Sequence, residues 1–325
     1  MKILVCGGAG YIGSHMVKML ARRDHEVVVF DNLSTGHREA VKWGTFVQGD
    51  LLIPEDLSLL FESHSFDAVM HFSARSLVGE SMTNPALYYQ NNVIGTFNLL
   101  EQMRQKEVGK FIFSSSAAIF GSPVAEQIGE EHPKNPINPY GRTKLMVEQM
   151  LKDYADAYAL NSVSLRYFNA AGADAEGELG EEHDPETHLI PNILKAAKRV
   201  AGAELRVFGS DYATHDGTCV RDYIHVEDLC KAHLKAVEFL GKNRGAHAFN
   251  LGNGCGFSVM EVLDSAKRVV ASEIPYQIDD RRPGDPATLV ADSTRAMDAL
   301  DWVPTYKDMD RIIQTAWDWM KRDDE

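Results

Sequence analysis

The chain predicts an α/β fold in which a doubly wound parallel sheet is followed by a smaller C-terminal unit. Three observations lead there. Short apolar, β-branched runs alternate with amphipathic helical stretches over the first 170 residues, the pattern of a parallel sheet covered on both faces. A glycine-rich turn joins the first run to the first helical stretch. A length of 325 residues exceeds what one small core needs, so a large unit with a smaller companion is expected.

The first run, Ile3 to Cys6 after Met1-Lys2, superficially looks like a short secretory signal. It stops after four residues at Gly7-Gly8 with no small-residue cleavage site, so residues 2–6 form a strand. The amphipathic stretch from Ile12 to about Arg22 follows the glycines as a helix. Glu26 to Phe30, Ala68 to Phe72, Lys110 to Phe113 and Ser162 to Phe168 are further strands, with long helices near Leu87–Gln105 and Tyr140–Tyr158. From Gly172 to His188 the chain is polar, Gly- and Glu-rich and without periodicity, which suits a functional loop or the start of a second unit. Helical patterns return at Leu189–Ala201 and Val226–Leu240, a short strand at Ala248–Leu251, and a final helix over Asp308–Lys321. The expected division is 1–170 for the first unit, with segments near 215–252 interleaved into it, and mainly 171–325 for the second.

Composition excludes several classes. Hydrophobic residues make up 44% and charged residues 25%, and the mean hydropathy is -0.25, so neither disorder nor a membrane span is expected. The net charge of -14 argues against a nucleic-acid partner, which needs clustered cations. An anionic ligand must therefore be met by local arginines. Cys6, Cys219, Cys230 and Cys255 show no C-x-x-C spacing and the histidines are scattered. A reduced cytoplasmic protein is expected, with thiols, Cys255 among them, as packing residues and no metal.

Gly7, Gly10 and Gly13 follow a strand, open a helix, and precede Asp31 by about 20 positions. This is the dinucleotide fingerprint. Gly7 permits the sharp turn, Gly10 a close approach of backbone to pyrophosphate, and Gly13 tight packing of helix on strand. The pyrophosphate would sit on the helix N-terminus. Asp31, ending the second strand, could accept from both ribose hydroxyls and would repel a 2′-phosphate, so NAD is expected over NADP. Arg38 could offset that repulsion only from several residues into the following loop.

Tyr140 and Lys144 are four apart on a helix and so share a face. A phenol of pKa about 10 is too weakly acidic to serve as a base unless an ammonium and a cationic nicotinamide favour the phenolate. Ser116 could hydrogen-bond the same substrate oxygen, although Ser114, Ser115 and Ser116 could equally form a turn with capping hydroxyls. Held together, these groups suit redox chemistry at a carbinol carbon.

With GGAGYIGSH (7–15), DNLSTG (31–36), VGES (78–81), NNVIGT (91–96), FSSSA (113–117), NPYGRTKLMVE (138–148), LRYFNAAGA (165–173), GTCVRDYIHVEDL (217–229), NLGNG (250–254) and RRPGD (281–285), the chain resembles the extended short-chain dehydrogenase/reductases. Within them it is most similar to the UDP-glucose 4-epimerases. The resemblance implies a Rossmann domain with a C-terminal nucleotide-sugar domain and NAD that stays bound. By the same resemblance, Tyr140 takes the O4 proton of UDP-galactose or UDP-glucose, C4 hydride passes to NAD, the 4-keto sugar rotates, and hydride returns to its other face. It implies further that Asp50 and Leu51 meet adenine, Asp31 and Asn32 the adenosine ribose, and Lys144 the nicotinamide ribose, with Tyr11, Ile12, Phe72, Asn91 and Phe168 completing the cofactor set. Asn169, Leu189, Arg221 and Arg282 would hold the UDP-sugar, Phe208 would lie near uracil and Asp285 near its ribose. A homodimer through the two long helices is also implied.

Three positions depart from the family. Ser76 stands where some members have a cofactor-holding lysine, and Phe120 where tyrosine is frequent. Leu289 replaces a large aromatic that crowds the sugar pocket, which leaves room for N-acetylated UDP-hexosamines. Alternatives are a 4-epimerase of a UDP-pentose or UDP-uronic acid, a non-catalytic NAD-dependent sensor, and a 4,6-dehydratase. The last needs an Asp-Glu pair after the serine, where this chain has Ala117-Ala118.

Overall fold

The computed structural model describes residues 1–200, 204–282 and 285–322. Its centre is a seven-stranded parallel sheet. The strands are β1 (Lys2–Cys6), β2 (Glu26–Asp31), β3 (Thr45–Gln48), β4 (Ala68–His71), β5 (Lys110–Ser116), β6 (Asn161–Tyr167) and β10 (Ala246–Leu251), in the spatial order β10-β6-β5-β4-β1-β2-β3. The order runs outward from β1 in both directions, so a crevice opens between the C-terminal ends of β1 and β4.

Two apolar layers cover the sheet. On one face Met16 and Val17 of α1 (Tyr11–Ala21) join Leu229 and Ala232 of α8 (Val226–Phe239). On the other, Leu57 and Leu60 of α2 (Pro54–Ser63), Leu99 and Met103 of α5 (Gly95–Gln105), and Val147 and Leu151 of α6 (Pro139–Tyr158) pack on Leu4, Val69 and Phe111. Burial on both faces explains why the strands read as continuous apolar runs. Two short helices, α3 (Val78–Thr83) and α4 (Pro85–Tyr88), precede α5, and the turn Tyr89–Ile94 between α4 and α5 is a π-helix.

The second layer system is built around β9 (Val220–His225). It pairs with β7 (Asn169–Ala171), with β11 (Gly256–Ser258) and with β13 (Thr288–Leu289). Nearby, β8 (Arg206–Phe208) pairs with β12 (Gln277–Asp279). Helices α7 (Leu189–Ala197), α9 (Val259–Val270) and α11 (Met309–Lys321) enclose a separate core of Ile193, Leu194, Val262, Leu263, Ile312 and Ile313. A further helix, α10 (Thr294–Leu300), returns to the large sheet, where Ala296 and Leu300 join its core.

Several boundaries differ from the sequence expectation. The strand after Lys110 runs on through Ser116, so the three serines are strand residues, and Ser116 also caps the 3-10 turn that follows by accepting from the Ala118 N–H. The helix at Leu189 ends at Ala197, and Ala201 lies outside the described residues. Pro283 and Gly284 of the RRPGD motif also lie outside them. Cys255 is exposed rather than packed, because it sits in the surface connection from β10 to β11, just after Gly254 at φ +70°. The polar segment 172–188 is irregular, yet it is docked: Asp174 and Glu178 each meet Lys18 Nζ at 2.6 Å, with Ala173 and Leu179 buried beneath.

Candidate active site

The glycine turn lies in the crevice. Gly7 adopts φ +79°, and a Cβ there would come within 2.5 Å of the Ser73 nitrogen. Only glycine lets the turn pass so close to the end of β4. A Cβ on Gly13 would lie 2.0 Å from the Gly7 carbonyl oxygen, which is the close helix-to-strand approach expected of that position. At Gly10 a Cβ would meet nothing nearer than 3.5 Å, so space is open there for a ligand. Helix α1 starts at this point with no side-chain cap, leaving its first N–H groups to an anion.

The Asp31 carboxylate is fixed by the Ala9 N–H at 3.0 Å and the Leu33 N–H at 2.8 Å. Burial pushes its carboxyl above the ordinary aspartate range, and these two donors oppose the rise. Asn32 donates to Asp50 at 2.9 Å. Gly7, Gly10, Asp31, Asn32, Asp50, Leu51, Phe72 and Asn91 line one cleft. Ser34, Thr35, Ser73, Ala74 and Arg75 line it too, and sequence reasoning missed them. The Ser-Ala-Arg segment directly after β4 was the available signal, since crevice residues in such sheets follow strand ends. Arg38 stacks on the Phe46 ring at 4.5 Å and donates to the Val41 carbonyl, so it is occupied away from Asp31. Tyr11 turns its hydroxyl to the Gly172 carbonyl at 2.6 Å, and Tyr11, Ile12 and Gly13 form the first turn of α1 beside the cleft rather than its lining.

Beside this cleft, α6 begins with Asn138 accepting from the Gly141 N–H at 2.8 Å and with Pro139 in the first turn. A Cβ on Gly141 would lie 2.3 Å from the Ala118 carbonyl oxygen, so the start of α6 presses directly on the turn after Ser116. That contact sets Tyr140 opposite Ser116. The Thr143 hydroxyl donates to the Tyr140 carbonyl and accepts from Asn92 of the π-helical turn. Lys144 Nζ donates to the Ser114 carbonyl at 2.7 Å and lies 5.9 Å from the Tyr140 ring centre.

All three side chains are nearly removed from water: Ser116 and Tyr140 are 8% exposed and Lys144 3%. Burial pushes the Tyr140 phenol up, and the Ser116 hydroxyl lowers it again. Burial pulls Lys144 down to about 7, with Glu148 acting in the other direction. Each charge is costly alone, but a phenolate and an ammonium side by side compensate each other. Glu148 is held by Arg166 at 2.6 Å and by the Ser115 hydroxyl, a buried support that sequence reasoning also missed.

The remaining predicted residues gather at the second layer system. Arg221, on β9, is 9% exposed; it donates to the carbonyls of Val220 and Pro286 and approaches Asp285 at 3.4 Å. The Arg282 guanidinium lies 4.0 Å over the Phe208 ring. Leu289 pairs in register with Arg221 and, like Phe168, packs against the cluster of Ala117, Ile119, Phe120 and Ile128, so it bridges Arg221 to the segment after Ser116. Asn169 pairs with Tyr223 at the start of β7, and Leu189 packs beside Val207 and Tyr212. Phe120 is buried against His132 and the Arg166 guanidinium.

A glycine turn on a helix N-terminus, a buried carboxylate at the second strand and a buried phenol–ammonium pair characterise a dinucleotide-dependent enzyme acting on an alcohol carbon. Comparison with known proteins narrows this class. The chain belongs to the NAD dependent epimerase/dehydratase family, whose model matches residues 3–252. It is 50% identical to the UDP-glucose 4-epimerase of Halalkalibacterium halodurans, over 99% of this chain and 96% of that one. A solved UDP-glucose 4-epimerase from Brucella ovis in complex with NAD is 52% identical, with 97% of each chain covered and a TM-score of 0.93. The UDP-Glc/GlcNAc 4-epimerase of Campylobacter jejuni is 43% identical, covers 99% of each chain and has a TM-score of 0.85.

Proposed function

We propose that this chain interconverts UDP-galactose and UDP-glucose at C4 with NAD as its resident cofactor. The observation that carries this reading is the buried Tyr140–Lys144–Ser116 group beside the glycine-turn crevice, with Arg221 in register with Leu289, which packs on the segment after Ser116. The cleft suits NAD because the Gly10 side is open, the N-terminus of α1 is uncapped and Asp31 is held as a hydroxyl acceptor. NAD, when bound, supplies a hydride acceptor and donor for C4 of the hexose.

The chain's own residues handle the proton and the grip. Tyr140 accepts the O4 proton as a phenolate and returns it to the alcohol of the product, with Lys144 stabilising the anion and Ser116 orienting the oxygen. Arg221 and Arg282 bind the diphosphate by charge-assisted hydrogen bonds. Phe208 offers a face for uracil and Asp285 a ribose acceptor, so the nucleotide stays anchored while the 4-keto sugar rotates. Residues 1–170 with 215–252 act as the cofactor unit and the rest mainly as the sugar unit. No helix among the described residues is long and apolar enough to cross a membrane, and the unpaired thiols of Cys6, Cys219 and Cys230 suit a reducing cytoplasm. A homodimer through α5 and α6 is supported by exposed Phe97 and Met146 on those helices.

Incubation of the purified chain with UDP-galactose should yield UDP-glucose with no added cofactor. A chain that holds NAD and leaves UDP-galactose unchanged would overturn the proposal. A second substrate class, UDP-N-acetylhexosamines, is favoured by the modest size of Leu289 beside the segment after Ser116. The activity printed for the Campylobacter relative agrees with it, and turnover of UDP-N-acetylgalactosamine tests it.

A further inference from the structure

The segment before α7 reads Glu181-Glu182-His183-Asp184-Pro185-Glu186-Thr187-His188, and its fold gathers four side chains that the reaction does not use. Ligating atoms of Glu181, His183, Glu186 and His188 all lie within 4.8 Å of one another. The Glu181 and Glu186 carboxylates are only 7% and 3% exposed, and their described ionic partners are the two imidazoles. His188 Nδ1 stands 2.7 Å from Glu181 and 3.3 Å from Glu186, while His183 Nδ1 stands 3.2 Å and 3.9 Å from the same two groups. Yet both ring nitrogens are buried without an aligned hydrogen bond.

That combination has a simple geometric meaning. Four donor atoms gathered this closely, two of them nitrogens without an aligned hydrogen bond, can be bridged by a single ion. A tetrahedral zinc ion with ligands at about 2.0–2.1 Å separates those ligands by about 3.3 Å, and the four measured separations scatter around that value. Two imidazoles with two carboxylates form a nitrogen–oxygen donor set suited to a borderline divalent metal. The Glu186 carboxylate also accepts from the N–H groups of Thr187 and His188, which fixes its orientation as a ligand requires.

We propose that Glu181, His183, Glu186 and His188 form a structural site for a divalent transition metal, zinc above all, which fastens the 181–188 segment across the glycine turn. The surroundings give the clamp its purpose. His183 lies edge-on to Tyr11 of the turn at 6.3 Å, and His37, whose N–H donates to the Ala9 carbonyl, contacts the Glu182 carbonyl at 2.7 Å. His188 is the N-cap of α7, and Leu189 of the sugar unit follows it. One ion would thus stiffen the segment that touches Tyr11 and His37 on one side and opens α7 on the other.

The test uses the full chain and needs no sugar nucleotide, so its outcome is independent of the epimerase reaction. The chain is stripped with a chelator, incubated with zinc chloride, desalted and assayed for metal. One zinc per chain is expected, with a rise in melting midpoint of roughly 3 °C or more, and cobalt in its place should give the intense visible absorption of a four-coordinate ion. The variant carrying His183→Ala and His188→Ala should lose the zinc and release NAD faster, with its fold checked by circular dichroism. Less than a tenth of an equivalent of zinc on the wild-type chain, or weak six-coordinate cobalt absorption, would overturn the proposal without reference to any variant. Retention of a full equivalent by the folded double variant would overturn it as well.

Discussion

Lys144 Nζ lies 5.9 Å from the centre of the Tyr140 ring while its proton is directed to the Ser114 carbonyl, so the ammonium reaches the phenol's surroundings from a position locked by β5. The two residues are coupled through burial as much as through distance. Neither gains a charge cheaply without the other, and that interdependence generates the first two predictions.

Tyr140→Phe should lower kcat by on the order of 10²- to 10⁴-fold. The ring still fills its site, so bound NAD should remain at the wild-type level. Turnover of UDP-galactose together with cofactor content after denaturation checks both halves; wild-type kcat in the variant would remove Tyr140 as the base.

Lys144 should also leave a mark on stability. Unfolded lysine keeps its proton to a pKa of about 10.4, whereas the buried residue loses it near 7. Between those values the unfolded chain binds more protons, so this group's contribution to stability increases as pH rises. In the cofactor-free chain, urea midpoints measured from about pH 7 to 9 should climb more for wild type than for Lys144→Met. Parallel curves would contradict the burial described.

Asp31→Asn should weaken NAD binding by roughly 10- to 100-fold, the value of a charge-assisted hydrogen bond. Wild type should bind NADP far more weakly than NAD, because Arg38 is committed to Phe46 and Val41. Titration calorimetry with both cofactors measures the difference, and the variant should narrow it.

Arg221→Ala should raise KM for UDP-galactose by roughly 10- to 100-fold with little loss of bound NAD. Arg221→Lys should rescue only part of this, since a point charge cannot reproduce a fork in which one nitrogen donates to the Val220 and Pro286 carbonyls while the other lies 3.4 Å from Asp285. Leu289→Tyr, in contrast, should suppress turnover of UDP-N-acetylgalactosamine while sparing UDP-galactose; equal loss on both substrates would sink the size argument.

Much of the large sheet was legible because strands buried on both faces announce themselves as β-branched runs, as Val27 to Phe30 and Phe111 to Phe113 do. β3 was not, since Thr45–Gln48 is a half-exposed edge with no such run. The strands around β9 escaped for another reason. Val220–His225 sets two adjacent charged residues before Tyr223 and Ile224 and so shows neither alternation nor an apolar run, and its Arg221 and Asp222 are buried by specific partners, Pro286 and the N–H groups of Asn253 and Gly254, which no local pattern encodes. The cofactor turn was readable because its geometry is imposed within seven residues. The clustering of Glu181, His183, Glu186 and His188 was not, because it depends on how an aperiodic segment bends back on itself.

The strand β10, Ala246–Leu251, closes the large sheet beside β6 although the intervening residues build much of the other lobe. During synthesis, then, a nascent chain of 170 residues cannot complete its own sheet: β6 waits with an open flank until residue 251 has left the ribosome. The strand carrying Ser116 lies between β4 and β6, but β6 gains its own second neighbour only when the late arrival docks, so a truncation that removes the distal third should yield an aggregating fragment instead of a cofactor-loaded half.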